Sequence, residues 1–252
     1  MGITEELYRI GAGLARDVSV TDVRIGLGYT AVEVDNAAVG LAYTFRSEAG
    51  HSCTAMASAG ELTGKPAEHL LKLMMERDAV SSAVGFATLN ALIQGRIPND
   101  ADGNFLNLIK LREGETVGMV GFFGPIIPLI GKAGCELLIF EKNLERGEGL
   151  YPPSEIPERL PRCAIVILSA TTLVNHTFET IIPYTTSARE VVMLGPTTPM
   201  VPEVMGRYRI TRLAGMKIVD PRRVLRIVSE AGGTQRLKDA VRKVVVSCEK
   251  SE

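Results

Sequence analysis

From Thr116 onward, short apolar runs alternate with segments of helical spacing, and this alternation restricts the fold more than any other feature of the chain. The runs are Thr116–Gly121, Glu136–Phe140, Cys163–Leu168, Glu190–Leu194 and Lys217–Val219. Helices are expected over Pro125–Lys132, Thr172–Ile182, Pro202–Tyr208 and Pro221–Glu230, with a last one from Thr234 to Val246. Strands joined by helical crossovers run parallel, and the helices cover both faces of the sheet. The run CAIVIL at Cys163–Leu168 is apolar throughout, as a strand buried on both faces requires. The expectation for residues 112–252 is a Rossmann-like, doubly wound, mostly parallel sheet.

The first hundred residues are built differently. Residues 3–16 place Leu7, Ile10 and Leu14 among charges, which predicts an amphipathic helix. Three extended runs follow, Val18–Leu27, Thr30–Val34 and Ala38–Phe45, separated by the turn pairs Gly28-Tyr29 and Asp35-Asn36. After a polar loop over Arg46–Lys65, Pro66 opens a helix, and a second helix is expected over Asp78–Gln94. A meander followed by two helices, with no crossover, is a small segregated α+β domain. It is assigned residues 1–100. The stretch Ile97–Glu115, rich in Pro, Asn, Asp and Gly, is the expected boundary.

Charge and cysteine content narrow the function classes. The formal net charge of the 252 residues is −1, so no global field draws the chain to nucleic acid or to an anionic membrane. Arg222, Arg223, Arg226, Arg236, Lys238, Arg242 and Lys243 alternate with apolar residues at helical spacing and read as solvated helix faces. No nucleic-acid partner is expected. The four cysteines form no CxxC pair, which fits a reducing, cytoplasmic compartment. No apolar run reaches the roughly 18 residues of a membrane span, and the N-terminus has no signal-peptide pattern. No membrane partner is expected.

Three segments carry candidate chemistry, all at the carboxyl ends of the expected parallel strands. The first is VGMVGFFGP, Val117–Pro125, where an apolar strand runs through Gly121, Phe122 and Gly124 into a helix. Glycine there lets backbone N–H groups approach an anion. The spacing Gly118-x-x-Gly121-x-x-Gly124 lacks the dinucleotide fingerprint, yet Glu141 ends the next strand twenty residues after Gly121, where such folds place a ribose-binding acid. The second is SATTLVNHTFETI, with Thr171 or Thr172 as helix cap, Asn175 as a polar corner and His176 as a ligand or base. The third is LGPTTPMVPE, a proline-stiffened rim offering Thr197 and Thr198. In the first domain His51 and Cys53, two apart in a loop, are the soft side chains suited to zinc, copper or nickel.

Taken as a set, IGLGYTAVEV, VGLAYTF, ATLNAL, VGMVGFFGP, ILSATTLVNHTFETII and LGPTTPMVPEVM resemble a prokaryotic family described as putative heavy-metal chelation. The match covers nearly the whole chain. The resemblance implies an enolase-N-terminal-like domain joined to a Rossmann-like domain, a site in the cleft between them, and a role in handling metals or metal-bearing cofactors. It carries the glycine turn onto Gly121 and Gly124, the polar corner onto Thr171, Thr172 and Asn175, and the rim onto Pro196 to Pro199. In the first domain, Thr44 and Asn90 are the polar positions aimed at the cleft. A small-molecule or metal-chelate ligand is the first expectation. An enzyme binding a nucleotide or S-adenosylmethionine at Gly121–Gly124 and Glu141 is the second. A non-enzymatic metal-binding protein using His51, Cys53 and His176 is the third. The cofactor is accordingly a transition metal, a metal-bearing group or a nucleotide, and a homodimer is the expected assembly.

Overall fold

The computed structural model describes residues 2–48, 54–98, 103 and 105–248. His51 and Cys53 lie outside the described residues. Helix α1 (Ile3–Leu14) opens the chain and buries Ile3, Leu7 and Gly11. Strands β1 (Val20–Ile25), β2 (Tyr29–Val34) and β3 (Val39–Tyr43) form an antiparallel meander. Helix α2 (Ala67–Leu71) ends in a 3-10 turn, and α3 (Ala79–Leu92) follows with Asp78 capping the Ser81 N–H at 2.8 Å.

The α3 sequence AVSSAVGFATLNAL is apolar nearly all round, and every residue from Ala79 to Ala91 except Ser81 is buried. A helix of that kind belongs in a core, with elements on all sides. It lies on β2 and β3 so closely that a Cβ at Gly40 would come within 2.1 Å of the Ala87 carbonyl oxygen and the Ala91 nitrogen.

The second sheet has seven strands in the order β10-β9-β8-β7-β4-β5-β6. They are β4 (Thr116–Val120), β5 (Glu136–Phe140), β6 (Leu150–Tyr151), β7 (Ile165–Ser169), β8 (Glu190–Leu194), β9 (Arg212–Ile218) and β10 (Val241–Ser247). All neighbours pair parallel except β9 and β10. The chain builds outward from β4 through β5 to β6, then returns to place β7, β8 and β9 on the other side of β4. The strand order therefore switches between β4 and β7. The helices between are short: α4 (Ile127–Lys132), α5 (Ile156–Arg159), α6 (Thr171–Val174), α7 (Phe178–Ile181) and α8 (Pro202–Met205). The chain then forms α9 (Pro221–Ser229) and α10 (Thr234–Leu237).

Several expected elements are corrected. The final helix from Thr234 to Val246 stops at Leu237, and Val241–Ser247 is an antiparallel strand along β9. Leu237, Ala240, Val241, Val244 and Val245 keep helical spacing, but the β-branched valines find a partner strand, and that pairing decides the outcome. The expected helix Thr172–Ile182 is broken into α6 and α7, because His176 takes a left-handed φ of 56°. Neither Thr171 nor Thr172 is a cap. Ala170 holds that position, and the Thr172 hydroxyl instead donates back to the Ser169 carbonyl at 2.7 Å. The last parallel strand is longer than Lys217–Val219, running over Arg212–Ile218.

The two halves share their cores. One face of the small sheet (Val32, Val34, Ala42) packs with α1–α3. The other (Tyr29, Ala31, Val39, Leu41) packs against Val224, Leu225 and Val228 of α9 and Leu237 of α10. Burial of the Val and Leu side chains among them is worth roughly 1.5–3 kcal/mol each. A helix from the second half thus completes the first.

Candidate functional site

The switch between β4 and β7 places two strand ends side by side without a covering crossover, which is where open parallel sheets form a crevice. At that point β4 ends in Gly121, whose φ of 95° is in the left-handed region that favours glycine. Its N–H donates to the Phe140 carbonyl at 2.8 Å, tying the turn to the end of β5. A Cβ at Gly121 would lie 3.0 Å from the Ser169 Cβ at the end of β7. Gly121 and Ser169 are therefore in contact range across the switch.

Beyond Gly121 the chain runs through Phe122, Phe123 and Gly124, all half-buried, into a 3-10 turn and α4. Among the described residues the N–H groups of Phe122 and Phe123 make no hydrogen bond. Opposite them, the Ser169 and Thr171 hydroxyls share a hydrogen bond at 2.8 Å, and the Thr171 N–H reaches the Ser169 hydroxyl at 3.3 Å. This strand-end switch thus brings together N–H groups without a partner among the described residues, two hydroxyls and the half-buried apolar groups of Phe122, Phe123 and Leu194.

Glu141 stands next to this turn, one residue past Phe140. Its side chain is only 13% exposed and both carboxylate oxygens are engaged. One accepts the Asn143 N–H at 3.2 Å, and the other pairs with Arg146 at 3.2 Å. The Arg146 guanidinium lies over the Phe122 ring, 5.0 Å from its centroid. Lys142 pairs with Glu48 at 3.0 Å and lies 6.0 Å from the Phe45 ring centroid, which brings the first half of the chain to the same edge.

The other expected site residues fall into separate places. Thr44, Asn90, Thr197 and Thr198 gather at the joint between the halves. The Asn90 amide donates to the carbonyl oxygens of Leu41 and Thr197, and the Thr197 hydroxyl accepts the Tyr43 N–H at 2.9 Å. The Thr44 hydroxyl pairs with Thr30 at 2.9 Å, and that of Thr198 donates to Ala214. The cavity beside Asn90, walled by Leu41, Met200 and Met216 among others, is about 10 Å³, the room of one water. Asn175 is past the end of α6 and accepts both the N–H and the hydroxyl of Thr177. His176 is also away from the glycine turn. Its Nε2 is 2.7 Å from the Glu76 carbonyl oxygen, beside a cavity of about 30 Å³ shared with Ile3 and Glu179.

Two residues at the crevice were not singled out from sequence. Ser169 is legible as the last residue of an apolar strand. Arg146 is not, because its place over Phe122 depends on how the loop after β5 folds back. Among the described residues no group of three or more His, Cys, Asp or Glu side chains is placed to hold a metal ion. No helix among them is long and apolar enough to cross a membrane.

Comparison with known proteins places the chain. An uncharacterized protein of Methanocaldococcus jannaschii is 24% identical over 257 residues, covering 98% of this chain and 97% of that one. A crystal structure of a protein with unknown function from the DUF364 family of Pyrococcus horikoshii shares the fold with a TM-score of 0.85. It is 22% identical and covers 98% of this chain and 100% of that one. A DUF364 protein with unknown function from Desulfitobacterium hafniense gives a TM-score of 0.79 at 24% identity, over 96% of this chain and 98% of that one. A family profile described as "Putative heavy-metal chelation" matches residues 104–247, and a second with the same description matches residues 8–93. The chain belongs to this family, described as "Putative heavy-metal chelation".

Proposed function

We propose that the protein binds a small metal-bearing chelate, as substrate or cargo, in the crevice at the β4–β7 switch point, where the second domain (residues 112–252) meets the edge of the first (residues 1–100). The observation that carries this reading is the pair of N–H groups at Phe122 and Phe123, without a partner among the described residues, beside a glycine turn that abuts Ser169. Donors of this kind bind the oxygen atoms of a chelate and supply no soft ligand to a bare ion. The family description concerns metals, while the described residues hold no Cys/His/carboxylate cluster. A metal that arrives with its own ligands reconciles the two. Gly121 and Gly124 give the close approach, Ser169, Thr171 and Thr172 border the far side, and Thr44, Asn90, Thr197 and Thr198 hold the halves in register around it.

The test is isothermal titration with nickel(II) citrate and with aqueous nickel(II). The chelate is expected to bind, and Gly121→Val to weaken it roughly tenfold or more, a loss of about 1.4 kcal/mol per factor of ten. Thr171→Val, which removes one hydroxyl without straining the turn, is expected to weaken it by a smaller factor. Tight retention of the bare ion through chelator dialysis, with chelate binding unchanged in both variants, would refute this reading. It would favour instead a metal-binding protein using His51, Cys53 and His176.

A nucleotide or S-adenosylmethionine enzyme is the second reading, favoured by Glu141 at the end of β5 next to Gly121. Both oxygens of Glu141 are already used, so a ribose would have to displace Arg146 or Asn143. A thermal-shift screen with nucleotides and S-adenosylmethionine separates this reading from the first.

A further inference from the structure

We infer that the ligand of this crevice is anionic and that Arg146 is the residue that selects for its charge. The inference rests on the chelate reading above and adds the charge of the ligand and the side chain that reads it.

The polar groups left over at the crevice include donors. The N–H groups of Phe122 and Phe123 have no partner among the described residues. The one carboxylate at the end of β5, Glu141, has both oxygens occupied. A ligand that brings acceptors can engage these N–H groups together with the Ser169 and Thr171 hydroxyls.

Arg146 supplies the matching charge. A guanidinium carries five N–H donors in a fixed fork. Among the described residues Nη1 alone of Arg146 is engaged, with Glu141, and its side chain is 48% exposed. Its position is nevertheless defined, because it lies over the Phe122 ring. That ring is itself held between the glycine turn and the loop: a Cβ at Gly124 would be 3.4 Å from it and one at Gly147 3.6 Å. Arg146 is thus registered against the same residue whose N–H is free. Lys142, the other cation of the loop, is drawn toward Glu48 and Phe45. Glu145 and Glu148 are exposed on the same loop, where solvent screens them as it screens the exposed part of Arg146; what sets Arg146 apart is its fixed place over Phe122. The arrangement suits carboxylate or phosphate oxygens, which Arg can hold bidentately.

The experiment compares two nickel(II) chelates of opposite charge, the citrate complex and the triethylenetetramine complex, by titration calorimetry at low salt. The proteins are the wild type, Arg146→Ala, Arg146→Lys and, as a control away from the crevice, Arg159→Ala. The wild type is expected to prefer the citrate complex. Arg146→Ala should lose about tenfold for that complex and nothing for the cationic one, which corresponds to about 1.4 kcal/mol. Arg146→Lys should recover part of the loss, and Arg159→Ala should match the wild type. Equal binding of both chelates by the wild type, or an equal loss for both in Arg146→Ala, would overturn the inference and leave the chelate reading standing. Failure of either chelate to bind the wild type would overturn both.

Discussion

The side-chain amide of Asn90, on α3, donates to the carbonyl oxygens of Leu41 and Thr197, at 2.8 and 3.0 Å, and so joins the small sheet to the loop after β8. Both partners are acceptors, which fixes the orientation of the amide. Its Oδ1 is buried without a partner among the described residues, beside the water-sized cavity of the joint, at a residue only 4% exposed. A polar tie of this kind is directional, and it sets the register of the two halves where apolar packing alone would tolerate a slip.

Asn90→Leu removes both donors and leaves two buried carbonyls unpaired. The expected loss is about 1–3 kcal/mol of stability, the usual range for orphaning buried polar groups. Urea unfolding measures it, and a loss below about 0.5 kcal/mol, the range of ordinary surface changes, would show that the tie is incidental.

Gly40→Ala should be more damaging. The added Cβ would meet backbone atoms of α3 at 2.1 Å, and a helix backbone cannot move aside as a flexible side chain does. Overpacking of this kind costs about 1–3 kcal/mol and more where backbone must shift. A variant with unchanged thermal unfolding would mean that α3 rides further from β3 in solution.

Acid sensitivity should be traceable to Glu115. Its carboxyl is held below the usual carboxylate range, first by hydrogen bonds from Arg189, at 2.7 and 3.0 Å, and further by that charge. A depressed folded-state value stabilises the fold above the unfolded value, and that contribution fades as pH falls through the folded one. Glu115→Gln should therefore be less stable than the wild type at pH 7. The difference should close below the unfolded carboxylate value of about 4.3. Unfolding curves across that range decide it, and a difference that persists unchanged at low pH would assign the effect to shape instead of charge.

Cys163 and Cys248 should be inert in the folded protein. Burial pushes both thiols up to about 12, with neighbouring carboxylates Glu136 and Glu203 adding to the rise. The thiolate is the reactive form, so iodoacetamide at pH 8 should leave both unmodified until denaturant is added. Mass spectrometry of the native digest reads this directly, and rapid alkylation of either would contradict the packing around it.

What the sequence determined by itself lies in local pattern. The apolar run at β7 required a strand covered on both faces, the β-α alternation required parallel pairing, and the glycines after β4 marked a turn that a backbone could approach closely. These follow from periodicity and from the stereochemistry of one or two residues. The tertiary structure decided what depends on a distant partner. Val241–Ser247 has the spacing of a helix and becomes a strand because β9 offers it an edge. The outer face of the small sheet is covered by α9, nearly two hundred residues later in the chain, and no local pattern encodes that contact. Thr44, Asn90 and Thr197 are legible as polar candidates for a ligand site, but their being spent on Thr30 and on backbone groups at the junction is a matter of distances. Arg146 acquires its place over Phe122 in the same way, from a loop folding back across a strand end. Side-chain type and spacing constrain what an element can be; which atoms it meets is set only when remote segments compete for the same surface.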